Sequence, residues 1–314
     1  MKLKAPFPYY GGKAWWSKVV WDHFGNNPSA VYVEPFFGSG AILLDSPTVH
    51  VREVVCDTDG HICNFWRAMR SNPDQVAYYA HWPTVHQDLQ ARQHYLMQWA
   101  IDNKTKLETD PHYFDSKAAG YYAWGLSNWI GGRYTIQVSK QIPYTSSNLA
   151  GQGVQVNRKS MESAEGNFDG KPLQEWFRAL AKRLQKVVVL NRDFMSALTP
   201  QMLGGNSTNI TKARVQVFLD PPYRQDKGRD EHKLYASDVA NESTDIATRA
   251  YKWAIDNGDK YAIGYCMHEG DFTVPSGWDK EIRKFNNIKR EVKDCIIFSP
   301  LAQQNKEQNS ANNL

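Results

Sequence analysis

The chain has 314 residues, of which 41% are hydrophobic, and it carries a formal net charge of +4. This length suits one catalytic domain with a large insertion or a second, smaller domain, and the charge is too small to demonstrate a polyanionic partner. We find neither an apolar run long enough to span a bilayer nor a signal-peptide core, so we expect a cytoplasmic protein. The four cysteines show no zinc spacing, and we expect them to be reduced core residues.

Strand and helix patterns alternate at the start of the chain. Residues 30–34 predict a short buried strand, followed by the Gly-rich turn 36–40 and the start of a helix. A second strand is predicted at 52–56, and 60–70 has apolar residues at helical spacing. The chain therefore begins with a β-α-β-α order.

The alternation resumes after residue 171. The remaining predicted elements are helices at 173–184 and 245–257, strands at 186–190, 214–219 and 260–266, and a closing antiparallel pair at 278–285 and 294–299. This order predicts an α/β fold with a doubly wound, mostly parallel sheet.

Residues 70–171 interrupt the alternation. This segment is aromatic-rich at first and then rich in Gly, Ser and Asn, so we interpret it as an insertion into a catalytic domain formed by 1–69 and 172–302. The tail, residues 303–314, is polar and has too few apolar side chains to offset its ordering entropy. We therefore expect the tail to be disordered.

Four distinctive residues each follow a predicted strand: Gly38, Asp57, Asp193 and Asp220. Because ligands bind at the carboxyl ends of strands in open α/β sheets, we expect these residues to converge on one crevice. The glycines around Gly38 are also typical of a plain tight turn. Asp57 is placed to accept hydrogen bonds from ribose hydroxyls, with helix capping as its alternative role, and this pattern would equally suit an NAD enzyme.

The segment Asp220-Pro221-Pro222-Tyr223 is the most informative, because two consecutive prolines rigidify the backbone directly after a strand. An amino group conjugated to a purine ring is a poor nucleophile, since its lone pair is delocalised. The Asp220 carboxylate and the Pro221 carbonyl would accept its hydrogens while a sulfonium methyl lies in line, and Tyr223 would stack on a flipped base. A Pro-rich surface turn capped by Asp220 is the alternative.

Four segments, in this order, resemble the alpha-class, Dam-like DNA adenine methyltransferases, and particularly the Dam-related proteins of phages and prophages: 6–13, 34–40, 57–60 and 220–223. The resemblance covers nearly the full length of the chain. It implies S-adenosylmethionine as cofactor, no metal, and a Rossmann-like methyltransferase fold with a seven-stranded, mostly parallel sheet. It also implies that 70–171 is a mainly helical target-recognition domain. Because that region matches only loosely, no recognition sequence is implied.

The same resemblance assigns residues to the cofactor. Its Gly-Gly-Lys segment would complete the pocket, the Gly loop would pass beside the methionine part, and Asp57 would hold the ribose. Asp193 and Phe194 would border the adenine ring of the cofactor. The cofactor-binding set is Tyr9, Gly12, Lys13, Glu34, Pro35, Phe36, Gly38, Ser39, Gly40, Asp57, Asp193, Phe194 and Asp220. The catalytic set is Asp220, Pro221, Pro222 and Tyr223.

The segment 116–161 contains no Asp or Glu, which suits phosphate contact and base reading. We predict DNA contacts from Arg133, Lys140, Arg158 and Lys159, and from Lys289 in a second basic cluster. Solvated surface is the alternative for these basic residues, and a structural core is the alternative for the tryptophans of the segment. The expected partner is DNA, in double-stranded form, bound by a monomer or weak dimer.

Adenine-N6 methylation is the leading hypothesis, and cytosine-N4 methylation is its nearest rival because the same kind of loop serves both reactions. A DNA-binding relative without catalysis and a nicotinamide-dependent oxidoreductase are alternatives from other classes. The Pro-Pro-Tyr and Gly-Gly-Lys segments argue against the oxidoreductase. Protection of phage DNA against restriction is the purpose that the resemblance implies.

Overall fold

The computed structural model describes residues 3–9, 11–28, 30–129, 134–135, 173–205, 214–223, 240–287 and 290–312. The strands are β1 Val31–Glu34, β2 Arg52–Cys56, β3 Val187–Leu190, β4 Val215–Leu219, β5 Ala262–His268, β6 Asp279–Asn287 and β7 Arg290–Phe298. The helices are α1 Ser17–Phe24, α2 Ala41–Leu44, α3 Gly60–Ser71, α4 Pro73–Ala80, α5 His86–Thr109, α6 Ser116–Asn128, α7 Leu173–Leu184, α8 Ala240–Asn257 and α9 Pro300–Asn312. Two short 3-10 helices are Ala14–Trp16 and Phe194–Leu198.

The described strands form a seven-stranded sheet in the order β3-β2-β1-β4-β5-β7-β6. The first five strands in this order are parallel, whereas β7 runs antiparallel to both of its neighbours, β5 and β6. The fold is therefore mixed α/β with a mostly parallel sheet, as the alternation of patterns predicted. All these predicted elements are present, although α8 begins at Ala240 rather than at 245.

The central strands are buried along their whole length, because helices cover both faces of the sheet. On β4, Val215, Val217 and Leu219 face a cluster that includes Ala250 and Ala254 of α8. Phe218 faces the opposite cluster, to which α1 and α3 contribute. Apolar residues at successive positions of one strand thus serve two cores.

The described part of the predicted insertion is helical and consists of α4, α5 and α6. These helices share one apolar cluster with the catalytic region, in which Phe7 packs edge-on against Phe65 and Tyr122 with ring centres 5.0 and 5.4 Å apart. The interior is thus continuous across the predicted boundary near residue 70. None of the described helices is long and apolar enough to cross a membrane.

The prediction of a disordered tail at 303–314 is wrong for residues 303–312, which belong to α9. The helix is held by polar contacts, because the tail has too few apolar side chains to be held by burial. Lys306 Nζ lies 3.0 Å from Glu281 Oε1 and 3.5 Å from Asp279 Oδ2, and Gln303 donates to the Gly277 carbonyl oxygen at 3.1 Å. The composition of the tail did not reveal these partners, because they lie in β6 and the preceding turn.

Candidate active site

A cavity of about 920 Å³, part of it open to solvent, lies at the carboxyl ends of the parallel strands. The residues that follow β1, β2, β3 and β4 all contribute to its wall, as expected for an open α/β sheet. It is lined by Tyr9, Gly11, Gly12, Lys13, Glu34, Pro35, Phe36, Phe37, Gly38, Ser39, Ala41, Ile42, Asp57, Thr58, Asp59, Asp193, Phe194, Phe218, Asp220, Pro222 and Ile246.

The structure therefore brings together every residue of the predicted cofactor set except Gly40. Gly40 does not line the cavity but caps the N-terminus of α2 with a left-handed backbone, φ 72°. A side chain at this position would also meet the Phe37 ring at 2.7 Å. Of the predicted catalytic residues, Asp220 and Pro222 line the cavity, whereas Pro221 and Tyr223 lie beside it.

The Gly loop needs glycine at position 38 for two physical reasons. Gly38 has a φ of 49°, and a Cβ atom there would lie 2.7 Å from the Tyr9 ring. Its N–H donates to Asp57 Oδ2 at 2.9 Å, which ties the loop after β1 to the end of β2. The glycine thus permits a close approach between the loop and the N-terminal segment.

Asp57 is the carboxylate that fixes this loop. Its Oδ1 accepts from the Asp59 N–H at 2.9 Å, and burial together with the nearby Asp59 carboxylate raises the pKa of Asp57 to about 7. Helix capping, the alternative role for Asp57, belongs instead to Asp59, which caps α3 by accepting from the His61 N–H at 2.8 Å. Asp57 therefore remains directed at the cavity.

Lys13 and Asp220 form a buried ion pair, with Lys13 Nζ 3.0 Å from Asp220 Oδ1. Lys13 is only 5% exposed, and its ammonium also donates to the Gly11 carbonyl oxygen at 2.5 Å. Burial lowers the pKa of Lys13, but the charge and hydrogen bond of Asp220, together with Cys266 and Asp294, outweigh burial, and the net pKa is raised. Burial raises the pKa of Asp220, and Lys13 offsets part of that shift.

Cys266 of β5 completes the surroundings of Asp220, although no sequence pattern had singled it out. The Cys266 thiol hydrogen-bonds the Asp220 carboxyl group, and burial followed by the Asp220 charge raises the thiol pKa well above its ordinary value. The thiol is therefore protonated and donates. In the parallel register of β4 and β5, Leu219 pairs with Tyr265, so the following residues, Asp220 and Cys266, lie side by side. This strand register is the signal that could have identified Cys266.

Glu34, at the end of β1, is a second buried carboxylate in the cavity wall. Its Oε2 accepts from the Tyr32 hydroxyl at 2.9 Å. Burial raises its pKa well above the ordinary value, although the Tyr32 hydrogen bond lowers it. Glu34 can therefore present a neutral carboxyl group, or a charge that a bound cationic group would stabilise.

Asp193 and Phe194, which follow β3, form a further part of the cavity wall. The Phe194 ring stacks on Phe36 at 5.1 Å, and the Arg249 guanidinium lies 5.0 Å from its centre. The Asp193 carboxylate accepts from the Met195 N–H at 3.0 Å and pairs with Arg249 at 3.1 Å. Two stacked aromatic rings flanked by a carboxylate suit a flat heterocycle with polar edges.

The ring of Tyr223, close to Asp220 in the chain, contacts Lys13 and His268. The Lys13 ammonium lies 4.9 Å from the centre of its ring, and the His268 ring packs edge-on at 4.3 Å. His268 Nδ1 is in turn 3.3 Å from Asp294 Oδ1. The tyrosine is thus oriented by residues of β5 and β7 that the sequence analysis did not select.

The predicted DNA contacts all fall outside the described residues. These are Arg133, Lys140, Arg158, Lys159 and Lys289. Trp124 and Trp129 are buried, which agrees with the alternative that they build a core.

Within the described ranges, one group has metal-ligand geometry: His23, Asp279 and Glu281 offer atoms within 4.8 Å of one another. Lys306 Nζ lies 3.2 Å from His23 Nε2, so an ammonium already provides the positive charge at this place. None of these three residues lines the cavity.

Residues 9–122 of the chain match the family model of D12 class N6 adenine-specific DNA methyltransferases. The matched segment is a little over a third of the chain and includes Tyr9, Lys13, the Gly loop and Asp57, but it ends before Asp220. The match supports methyl transfer to N6 of adenine in DNA, and with it a transferase that uses a methyl donor, as the sequence predicted.

Other comparisons add little. A solved structure of a candidate methyltransferase of Escherichia coli, yhhF, is similar over 95% of this chain and 92% of its own, with 12% identity and a TM-score of 0.32. A similarity at this TM-score carries no weight for fold or function. No curated protein sequence matches the chain.

Proposed function

We propose that this protein is an alpha-class, Dam-like methyltransferase of the phage type that transfers a methyl group from S-adenosylmethionine to N6 of a flipped-out adenine in DNA. The observation that carries the proposal is the contact between Lys13 Nζ and Asp220 Oδ1 at 3.0 Å. It joins the N-terminal Gly-Gly-Lys segment to the Asp-Pro-Pro-Tyr segment at one cavity, and a nicotinamide enzyme has no need of this combination.

The cavity fits the proposed methyl donor in shape and charge. The flat, stacked rings of Phe36 and Phe194 suit its adenine, and Asp57 suits its ribose hydroxyls. Buried Glu34 and partly buried Asp220 suit its amino and sulfonium charges, whereas Lys13 suits its carboxylate. A Cβ at position 38 would meet the Tyr9 ring, so the glycine allows the Gly loop and Tyr9 to form one continuous part of the cavity wall.

When bound, S-adenosylmethionine supplies an electrophilic methyl group on a sulfonium sulfur. Asp220 accepts a hydrogen of the adenine amino group and thereby returns electron density to the nitrogen. As the bond between nitrogen and the methyl carbon forms, the bond from that carbon to sulfur would break with its electron pair remaining on sulfur, and the Asp220 carboxylate takes up the proton that the nitrogen loses. Lys13 and the Cys266 thiol hold Asp220 in place for this step.

The proposal also assigns the DNA side. Pro221 would accept the second amino hydrogen through its carbonyl oxygen, and Tyr223 would stack on the flipped base. The region 70–171 would serve as target-recognition domain, with Arg133, Lys140, Arg158 and Lys159 in contact with the duplex and Lys289 on the catalytic side. We further propose that the protein acts as a monomer or weak dimer and needs no metal.

Asp220→Asn tests the proposed chemistry. The substitution preserves shape but removes the acceptor charge, so we expect transfer of tritiated methyl groups to DNA to fall at least about 100-fold. Asp220→Ala is less informative, because it leaves Lys13 buried without its partner. Asp256→Asn, the same change at an exposed carboxylate of α8 outside the cavity wall, is the control and should retain activity. Wild-type rates in Asp220→Asn would overturn the assignment.

A further inference from the structure

An exposed indole lies two residues after Lys13. Trp15 is 76% exposed, although the adjacent Trp16 is only 2% exposed. Both belong to the short 3-10 helix that connects the cavity segment to α1. Among the exposed large apolar side chains of the described residues, Trp15 has the highest exposed fraction, and it lies two residues from Lys13 in the cavity wall.

The backbone that carries Trp15 is fixed on both sides. The Trp16 N–H donates to the Lys13 carbonyl oxygen at 2.8 Å, and Lys13 itself is held by Asp220. On the other side, Arg283 of β6 donates to the Trp15 carbonyl oxygen, and its guanidinium lies 4.8 Å from the centre of the Trp16 ring. The exposed indole therefore stands on an ordered support, which reduces the entropy lost on binding.

Arg283 also belongs to a row of side chains that starts at the catalytic segment. Asp294 of β7 pairs in register with His268 of β5 and with Arg283 of β6, and opposite residues of antiparallel strands share a face. His268 contacts the Tyr223 ring. Since neighbouring strands are about 4.8 Å apart, His268 and Arg283 are separated by roughly 10 Å.

We propose that Trp15 and Arg283 form a second DNA contact beside the catalytic cavity. Trp15 stacks on a base that flanks the extruded adenine, and Arg283 pairs with a phosphate of the same strand. A base next to an extruded nucleotide has lost a stacking neighbour, which an indole face can replace. The five N–H groups of a guanidinium allow Arg283 to hold the Trp15 carbonyl and still bind a phosphate. The inference rests on the proposed function, because it requires that the cavity receives a base from DNA.

The test compares Trp15→Ala and Trp15→Phe with the wild-type chain. The probe is a fluorescein-labelled duplex that the wild type methylates, and its binding is followed by anisotropy. We expect Trp15→Ala to weaken duplex binding about tenfold and Trp15→Phe to retain much of the affinity, while calorimetry shows unchanged binding of S-adenosylmethionine. Val51→Ala is the matched control, because Val51 is 64% exposed and directly precedes β2, at the amino end of a strand whose carboxyl end meets the cavity.

Arg283→Ala extends the test. Loss of one phosphate contact should lower the slope of log affinity against log salt concentration by about one. Lys260→Ala, at an exposed lysine just before the amino end of β5, should leave that slope unchanged.

Three results would overturn the inference. The first is wild-type duplex affinity in Trp15→Ala, and the second is equal loss of duplex and cofactor binding. The third is a change in sedimentation with duplex affinity intact, which would assign Trp15 to contact with a second copy of the chain. If the wild-type chain itself neither binds nor methylates DNA, the proposed function fails first and this inference with it.

Discussion

Asp57 holds the backbone and faces the ligand at the same time. Its two oxygens accept from Gly38 and Asp59, and each oxygen has a further lone pair for a ribose hydroxyl. Because burial and the Asp59 charge raise its pKa to about 7, the group changes charge within the physiological range. The affinity of the cavity for its cofactor is therefore expected to depend on pH.

The direction of this dependence follows from the raised pKa. At pH 6 the Asp57 carboxyl is mostly protonated, and at pH 8 it is mostly ionised and is the stronger acceptor. We expect S-adenosylmethionine affinity, measured by calorimetry, to rise by up to about tenfold between these pH values. Asp57→Asn should bind the cofactor more weakly, remove most of this rise and leave DNA affinity unchanged. An unaltered pH profile in the variant, or equal loss of both affinities, would contradict this role.

The residues that the sequence revealed and those that it missed differ in a simple way. Gly38, Asp57, Asp193 and Asp220 follow strands, so the chain order alone predicted that they would meet. Cys266 acts on Asp220 from the neighbouring strand, and this contact depends on the register between β4 and β5. Register between distant segments is not encoded in a local pattern. His268 and Asp294 were missed for the same reason.

At the scale of elements, the close packing of α4 on α6 positions the helical part of the insertion. Gly120 of α6 faces α4, where a Cβ atom would lie 2.4 Å from the Tyr79 Cβ and 2.7 Å from the Val76 carbonyl oxygen. The backbones can approach this closely only because the position has no side chain.

Gly120→Ala should therefore force α4 and α6 apart. We expect a loss of about 1–3 kcal/mol in the free energy of unfolding, measured by urea denaturation, because overpacking strains both helices. Gly60→Ala at the start of α3 is the matched control, since its Cβ would meet Leu107 at an ordinary 3.4 Å. Equal stability of the two variants would argue against the close helix contact.

The last helix makes a second prediction at this scale. Lys306 connects α9 to Asp279, Glu281 and the buried His23. Because the lysine is partly exposed, Lys306→Ala should cost only about 1 kcal/mol of stability, together with earlier proteolysis of the C-terminus. Gln304→Ala, an exposed change on the same helix, should have neither effect. Unchanged proteolysis in Lys306→Ala would show that other contacts hold the helix.

For the whole molecule, local patterns predicted the order of strands and helices, the antiparallel closing pair and the crevice at the strand ends. They failed at the tail, because composition reports the apolar burial of a segment but not its ion pairs with distant strands. The division into a catalytic domain and an insertion remains a prediction, since α4 and α6 share their core with α3 and the N-terminal segment. The predicted insertion is thus distinct from the catalytic domain in sequence pattern, but its described helices share one hydrophobic core with it.

The chemical identity of the methylated base tests the proposed DNA adenine-N6 methylation most directly. Purified protein would be incubated with unmethylated DNA and S-adenosylmethionine, and the DNA would be digested to nucleosides and analysed by mass spectrometry, with Asp220→Asn as the blank. We predict N6-methyladenine in the wild-type reaction and at least about 100-fold less of it in the Asp220→Asn reaction. N4-methylcytosine would transfer the assignment to the other exocyclic amine, and no methylated nucleoside despite measurable cofactor binding would contradict DNA methylation by this chain.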